Sequence, residues 1–173
     1  MTRELWIDRT FVFDVPPGRF ASVLERLRGT ACRLEERTQS LNRAGLVCHD
    51  NGQWSIQEHV GHLLDLETLW YRRAQQLLAG NTVLEAADLA NSATREAQHN
   101  RRQLSVLLRG FRATRIRLVL LLEGADAAMI VRSAWHPRLQ QPMRLLDHAL
   151  FVAEHDDHHL ATITELRRRL GVL

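Results

Sequence analysis

Lysine is absent from this 173-residue chain: all 23 basic residues are arginine, set against 20 acidic residues and nine histidines. The formal charge of +3 therefore rests on guanidinium groups that never lose their protons. The excess is small and interspersed with acids, which argues against a nucleic-acid footprint. Cysteine is scarce too. Cys32 and Cys48 make neither a CxxC pair nor a disulfide framework, so a reduced, cytoplasmic protein is expected. Nine glycines and four prolines exclude a collagenous or linker-rich chain. No stretch approaches the roughly 18 uninterrupted apolar residues of a membrane span, and the opening residues Met1–Trp6 lack the basic-then-apolar layout of a secretory signal. With 45% apolar residues the chain is too hydrophobic for disorder. Its length suits one domain spanning 1–173.

What is present is helical periodicity. Pro17 suits a first helical turn, and a helix is expected over about 17–42, with Gly29 a soft spot. The segment from Gly45 to Gly52, with Asp50-Asn51-Gly52, signals a turn. Ser55 and Glu58 stand three apart, as in a capping box, and start a second helix over 54–79 that ends at Gly80-Asn81. A third long helix is expected over 91–123 and a fourth over 144–170. Between them, residues 125–143 read as irregular, with no convincing β-alternation. The fold class is all-α, an antiparallel four-helix bundle.

The last helix is the informative one. Leu145, Val152, Ile163, Leu166 and Leu170 form one stripe, and His148, His155 and His159 interrupt it. A core that admits imidazoles must satisfy them. His155 and His159 stand one turn apart, roughly 6 Å, a spacing that lets two imidazoles reach one metal ion. His148 lies two turns before His155, roughly 10 Å away, and is expected as a hydrogen-bonded core histidine. His158 falls at the rim. A third ligand should come from the second helix, where the apolar set Ile56, Val60, Leu63, Trp70 and Leu77 is centred nearer His59 than His62. Periodicity slightly prefers His59; spacing is consistent with either.

The string Trp54-Ser55-Ile56-Gln57-Glu58-His59-Val60-Gly61-His62-Leu63-Leu64-Asp65 resembles the second-helix signature of the DinB-like superfamily of metal-binding four-helix bundles. His155-Asp156-Asp157-His158-His159 resembles that family's HxxxH motif on the fourth helix, and His136-Pro137-Arg138-Leu139 its preceding loop. Cys32 departs from the pattern, standing where relatives often have Pro. The resemblance implies a divalent metal, nickel or zinc, held by three histidines with open positions. It places the second-helix ligand on His62 and the pair on His155 and His159. Glu58, His59, Asp65 and His158 are candidates to stand behind these ligands, with Glu58 or Asp65 accepting an imidazole's second N–H. Trp54, Trp70 and Trp135 are candidate pocket walls.

A three-histidine site with vacant positions suits activation of water or a thiol against a small electrophile. The resemblance implies either a thiol-dependent transferase, using a low-molecular-weight thiol, or a hydrolase, in a homodimer. The rivals are a non-catalytic stress-response or binding protein with a metal site, and a nucleic-acid binder using Arg102, Arg109, Arg112, Arg115 and Arg117 as a basic strip. No recognition motif accompanies that strip.

Overall fold

The computed structural model describes residues 4–50 and 52–171; Met1–Arg3 and Asn51 of the expected turn lie outside them. Four long helices make the bundle: α1 (Phe20–Thr38), α3 (Ile56–Ala79), α5 (Leu104–Glu123) and α7 (Leu145–Arg169). Three short helices punctuate the connections: α2 (Arg43–Val47), α4 (Ser92–Glu96) and α6 (Ala127–Ile130). A two-stranded hairpin, β1 (Ser133–His136) with β2 (Gln141–Arg144), precedes α7. Pro17 opens a single 3₁₀ turn that feeds α1. Ser55 and Glu58 form the expected capping box, each side chain bonding the other residue's backbone N–H, and α3 ends on the left-handed Gly80.

Each long helix packs on two others: α1 and α3 both lie against α5 and α7. Residue pairings reveal the running senses. His59 meets His159 and Trp70 meets His148, so α3 and α7 are antiparallel. Arg28 meets Glu123 and Glu35 meets Arg112, so α1 and α5 are antiparallel as well. Glu67 pairs with Arg115 and Tyr71 with Arg117, so α3 and α5 run the same way. The stretch between those two parallel helices must therefore travel back along the bundle, which explains its length.

That stretch corrects the expected helix over 91–123. Asn91 and Gln98 both adopt left-handed backbone (φ 53° and 48°), splitting the segment into α4, a 3₁₀ turn at His99–Arg101, and α5. Asn tolerates this region; Gln does so only at a cost of roughly 1–2 kcal/mol. Tertiary bonds hold it there. Gln57 Nε2 donates to the carbonyls of His99 (2.5 Å) and Arg102 (2.9 Å). No Gly or Pro marks the break. Residues 125–143 likewise need correction, because they contain α6 and the hairpin. The strands are four residues each, too short for alternation to show. Trp135 further bonds Thr82 and Leu84 through its backbone. α1 stops at Thr38 rather than near 42, and α2 lies partly within the segment expected as a turn.

The apolar core is divided in two. One cluster holds Leu27, Trp70, Leu118 and Val152; the other holds Leu34, Leu63, Phe111 and Ile163. Between them every long helix turns polar at one level: Thr30 on α1, His62 and Glu67 on α3, Arg115 on α5, and His155, Asp156 and His159 on α7. No helix of the described residues is long and apolar enough to cross a membrane.

Candidate metal centre

Half of the polar layer is an ion network. The guanidinium of Arg115 donates to Glu67 (2.6 Å from Nη2 to Oε1), to Asp156 and to the Leu27 carbonyl, and Thr30 Oγ1 also donates to Asp156 (2.8 Å). One fully buried cation thus ties together all four long helices. This corrects the basic strip: Arg115 is not on the surface, and a strip missing its centre does not make a continuous patch. Its position carries a signal, since Leu107, Phe111, Leu118 and Leu122 are all buried and residue 115 fills the next slot of that stripe.

The other half is imidazole. His62, His155 and His159 are buried, and one ligand nitrogen from each lies within 4.8 Å of the others. Nε2 of His155 is 3.4 Å from Nε2 of His62 and 3.2 Å from Nε2 of His159. Three nitrogens set tetrahedrally, each about 2.0–2.1 Å from an ion, stand about 3.3 Å apart. The spacing fits a shared cation.

Protonation fits as well. Burial is the main cause that pushes His62 down to about 4. Burial first, and then repulsion from neighbouring imidazoles, holds His155 and His159 well below the ordinary imidazole value. All three are neutral at pH 7, as ligands must be.

The tautomer of His62 follows from a chain of hydrogen bonds. Asp65 Oδ2 can only accept, so the single hydroxyl proton of Thr94 points to it (2.8 Å). Thr94 Oγ1 must then accept from Nδ1–H of His62 (3.1 Å), which leaves Nε2 of His62 as a bare lone pair. His99 Nε2–H donates to the same Asp65 oxygen (2.8 Å). His99 fits because residue 61 is glycine: a Cβ there would overlap the imidazole ring.

His59 also turns inward. Its Nδ1 lies 2.9 Å from Nδ1 of His159. When Nδ1–H of His159 donates to His59, Nε2 of His159 is free to face the other two rings. The preference of periodicity for His59 and the resemblance's choice of His62 thus both find buried residues, one behind the cluster and one within it.

Asp65 acts on His62 through Thr94 rather than directly. Glu58 does not touch the cluster; it caps α3 and lies 3.5 Å from His49 Nδ1. His158 is half-buried, its ring 5.3 Å from that of His159. His148 is the expected core histidine, bonded through Nε2 to the Trp70 carbonyl (2.9 Å).

A cavity of about 330 Å³ opens on the three rings. Trp54 lies against His62 (4.7 Å between ring centroids) and Trp70 meets His155 edge-on (5.5 Å). Trp135 is corrected: its ring is exposed and does not line the cavity. The third tryptophan wall is Trp6, 5.0 Å from His155. Sequence reasoning missed Trp6, Thr94, Asp156 and His99. Trp6 lay in the lead-in outside any helical period, Thr94 and His99 lay within a segment read as plain helix, and Asp156 stood in the HxxxH string with no role given to it.

Comparison with known proteins agrees with this architecture. The family model of the DinB superfamily matches residues 14–163, and the chain belongs to that superfamily. A Bacillus pumilus (strain SAFR-032) protein, whose name proposes a metal-dependent hydrolase, is 31% identical over 167 residues, covering 96% of this chain and 85% of its own. YfiT from Bacillus subtilis, described as a probable metal-dependent hydrolase with an unusual four-helix bundle topology, superposes with a TM-score of 0.81. It is 22% identical, and the match covers 94% of each chain. A mycothiol-dependent maleylpyruvate isomerase shares the fold at a TM-score of 0.67 and 10% identity, covering 86% of this chain and 60% of that one.

Proposed function

We propose that this protein is a metal-dependent hydrolase of small molecules, with His62, His155 and His159 as ligands to one divalent ion, zinc or nickel. The observation that carries the reading is the trio of neutral Nε2 atoms, 3.2 and 3.4 Å apart, at the floor of an aromatic-walled cavity. Imidazole ligands suit both metals. When bound, such an ion supplies Lewis acidity, lowering the pKa of water and polarising a carbonyl.

The chain's own residues do the rest. Thr94 and Asp65 hold His62 in the ligating tautomer, and His59 Nδ1 accepts a hydrogen bond from Nδ1–H of His159. Trp6, Trp54 and Trp70 exclude bulk water around the reacting group. Three protein ligands leave room for substrate, unlike a closed structural zinc site.

Thiol transfer is the second expectation from the sequence. It has the likeness to the isomerase behind it, which is one of fold, whereas the hydrolase reading has relatives named for that activity. The homodimer and the cytoplasmic location rest on the resemblance and on composition; sedimentation and fractionation test them.

The deciding experiment is metal analysis of protein purified without a His-tag or nickel resin, followed by a screen of small esters and amides. Expected are about one equivalent of zinc or nickel, hydrolysis abolished by a chelator and restored by metal, and loss of metal in His159→Ala with helicity retained, since Ala favours helix. Full metal stoichiometry in His159→Ala, or hydrolysis indifferent to chelator, overturns the reading. A turnover that requires an added low-molecular-weight thiol moves the assignment to the transferase.

A further inference from the structure

Two arginines are buried, Arg73 and Arg115, and a third, Arg138, is half-buried; they are treated differently. Arg115 meets two carboxylates, Glu67 and Asp156. Arg73, 1% exposed, meets none among the described residues: Nε and Nη2 donate to the Glu85 carbonyl (2.9 and 2.7 Å), and Nη1 faces Nε2 of His136 (3.0 Å). Arg138 meets none either. Its Nη1 donates to the Ile7 carbonyl (3.1 Å), its guanidinium lies over the rings of Trp6 and Phe151 (5.8 and 5.5 Å), and Nη2 is buried without a hydrogen-bond partner. Cations taken from water are stable only when paired. Burial pushes Arg73 down to about 10, more than the Glu85 carboxylate raises it, and Arg138 adds repulsion.

His136 deepens the shortage. The Leu139 N–H is aimed at its Nδ1 (3.2 Å) while Arg73 Nη1–H is aimed at its Nε2 (3.0 Å). A neutral imidazole has one lone pair in its plane, so it can accept only one of the two. One donor is left unmet.

Arg73, His136 and Arg138 all line the cavity that opens on His62, His155 and His159. Among the described residues that line it, Asp88 is the one carboxylate, and both its oxygens already accept backbone N–H groups, from Ala90 (2.9 Å) and Ser92 (2.7 Å).

We propose that this cavity is built to take a small organic carboxylate, its anionic group received at the Arg73–Arg138 wall and its apolar body lying against Trp6 and Phe151. The carboxylate supplies the acceptor that Arg138 Nη2 lacks and relieves the contest of Arg73 and the Leu139 N–H for His136, and the aromatic walls disfavour a fully hydrated inorganic anion. That the guest is a substrate rests on the hydrolase reading above; that the cavity prefers an anion does not.

The test uses benzoate and its neutral isostere benzamide as probes, titrated by calorimetry into chelator-treated and zinc-loaded protein. Benzoate is expected to bind the metal-free protein at least about tenfold more tightly than benzamide, the scale of a charge-assisted hydrogen bond. Arg138→Gln should lose that ratio, and Arg138→Lys should keep much of it. Circular dichroism establishes that each variant is folded; the ratio in the parent protein is decisive even if the Gln variant is not.

Benzoate binding no tighter than benzamide overturns the proposal. So does a preference that exists only with zinc and survives Arg138→Gln, because the carboxylate then goes to the metal, and the hydrolase reading stands alone. Protein that takes up neither zinc nor nickel yet prefers benzoate sinks the hydrolase reading and leaves this site intact.

Discussion

Replacing Thr94 with Val removes one hydroxyl and almost no volume, yet it cuts the hydrogen-bonded link between His62 and Asp65. In the parent protein Nδ1–H of His62 donates to Thr94 Oγ1 (3.1 Å), which donates on to Asp65 (2.8 Å). Thr94 is buried, so water does not readily substitute. The variant leaves the imidazole proton without an acceptor, at a cost of about 1–3 kcal/mol, and frees the ring to shift its proton to Nε2. A proton at Nε2 occupies the lone pair that faces His155. Loss of a group that orients a ligand typically costs 10–100-fold in metal affinity, about 1.4–2.7 kcal/mol. Competition for zinc against a chromophoric chelator measures this directly. Thr94→Val is expected to weaken zinc binding by that factor with the helical signal unchanged, and Thr94→Ser, which keeps the hydroxyl, to recover most of it. Zinc affinity in Thr94→Val equal to the parent's refutes the reasoning, as does a Ser variant as weak as the Val one.

Two further outcomes concern stability. Arg115→Met strands the carboxylates of Glu67 and Asp156 in the core, and is expected to cost about 3–5 kcal/mol in urea unfolding; adding Glu67→Leu and Asp156→Leu should recover much of the loss, and a single variant as stable as the parent contradicts the clamp. Burial keeps the ring of His148 neutral down to about 3 and that of His62 down to about 4. Unfolded imidazoles take up protons below about 6.5 while these folded ones do not. Stability of metal-free protein should therefore be full above pH 6.5 and drain as pH falls toward 3, by about 1.4 kcal/mol per unit for each such ring. A flat profile between pH 7 and pH 5 excludes this.

The bundle and half of its centre were legible in the residues because both are local. The 3.6-residue period, the Ser55–Glu58 box and the i, i+4 pair His155–His159 depend on neighbours within one or two turns. The choice between His59 and His62 was not local. The two rings sit on either side of one apolar stripe, and which becomes ligand and which becomes its support depends on where α7 crosses α3. Resemblance named His62; periodicity leaned to His59; packing uses both.

The parts that escaped the sequence are those in which distant segments meet. Asp65 is a candidate to back a ligand in the sequence, but its actual partners, Thr94 and His99, are brought to it from beyond the end of α3. Gly61 carries no visible role in the sequence; in the fold the imidazole of His99 fills the space its missing Cβ leaves. Arg115 reads as a solvated charge until Glu67 and Asp156 arrive from two other helices. The residues alone determine that four amphipathic helices form and that one of them carries two imidazoles on its buried face, since local periodicity and capping suffice for both. Tertiary structure alone decides that the polar slots of all four helices fall at one level, because a buried charge or imidazole is stable only where another segment supplies its partner.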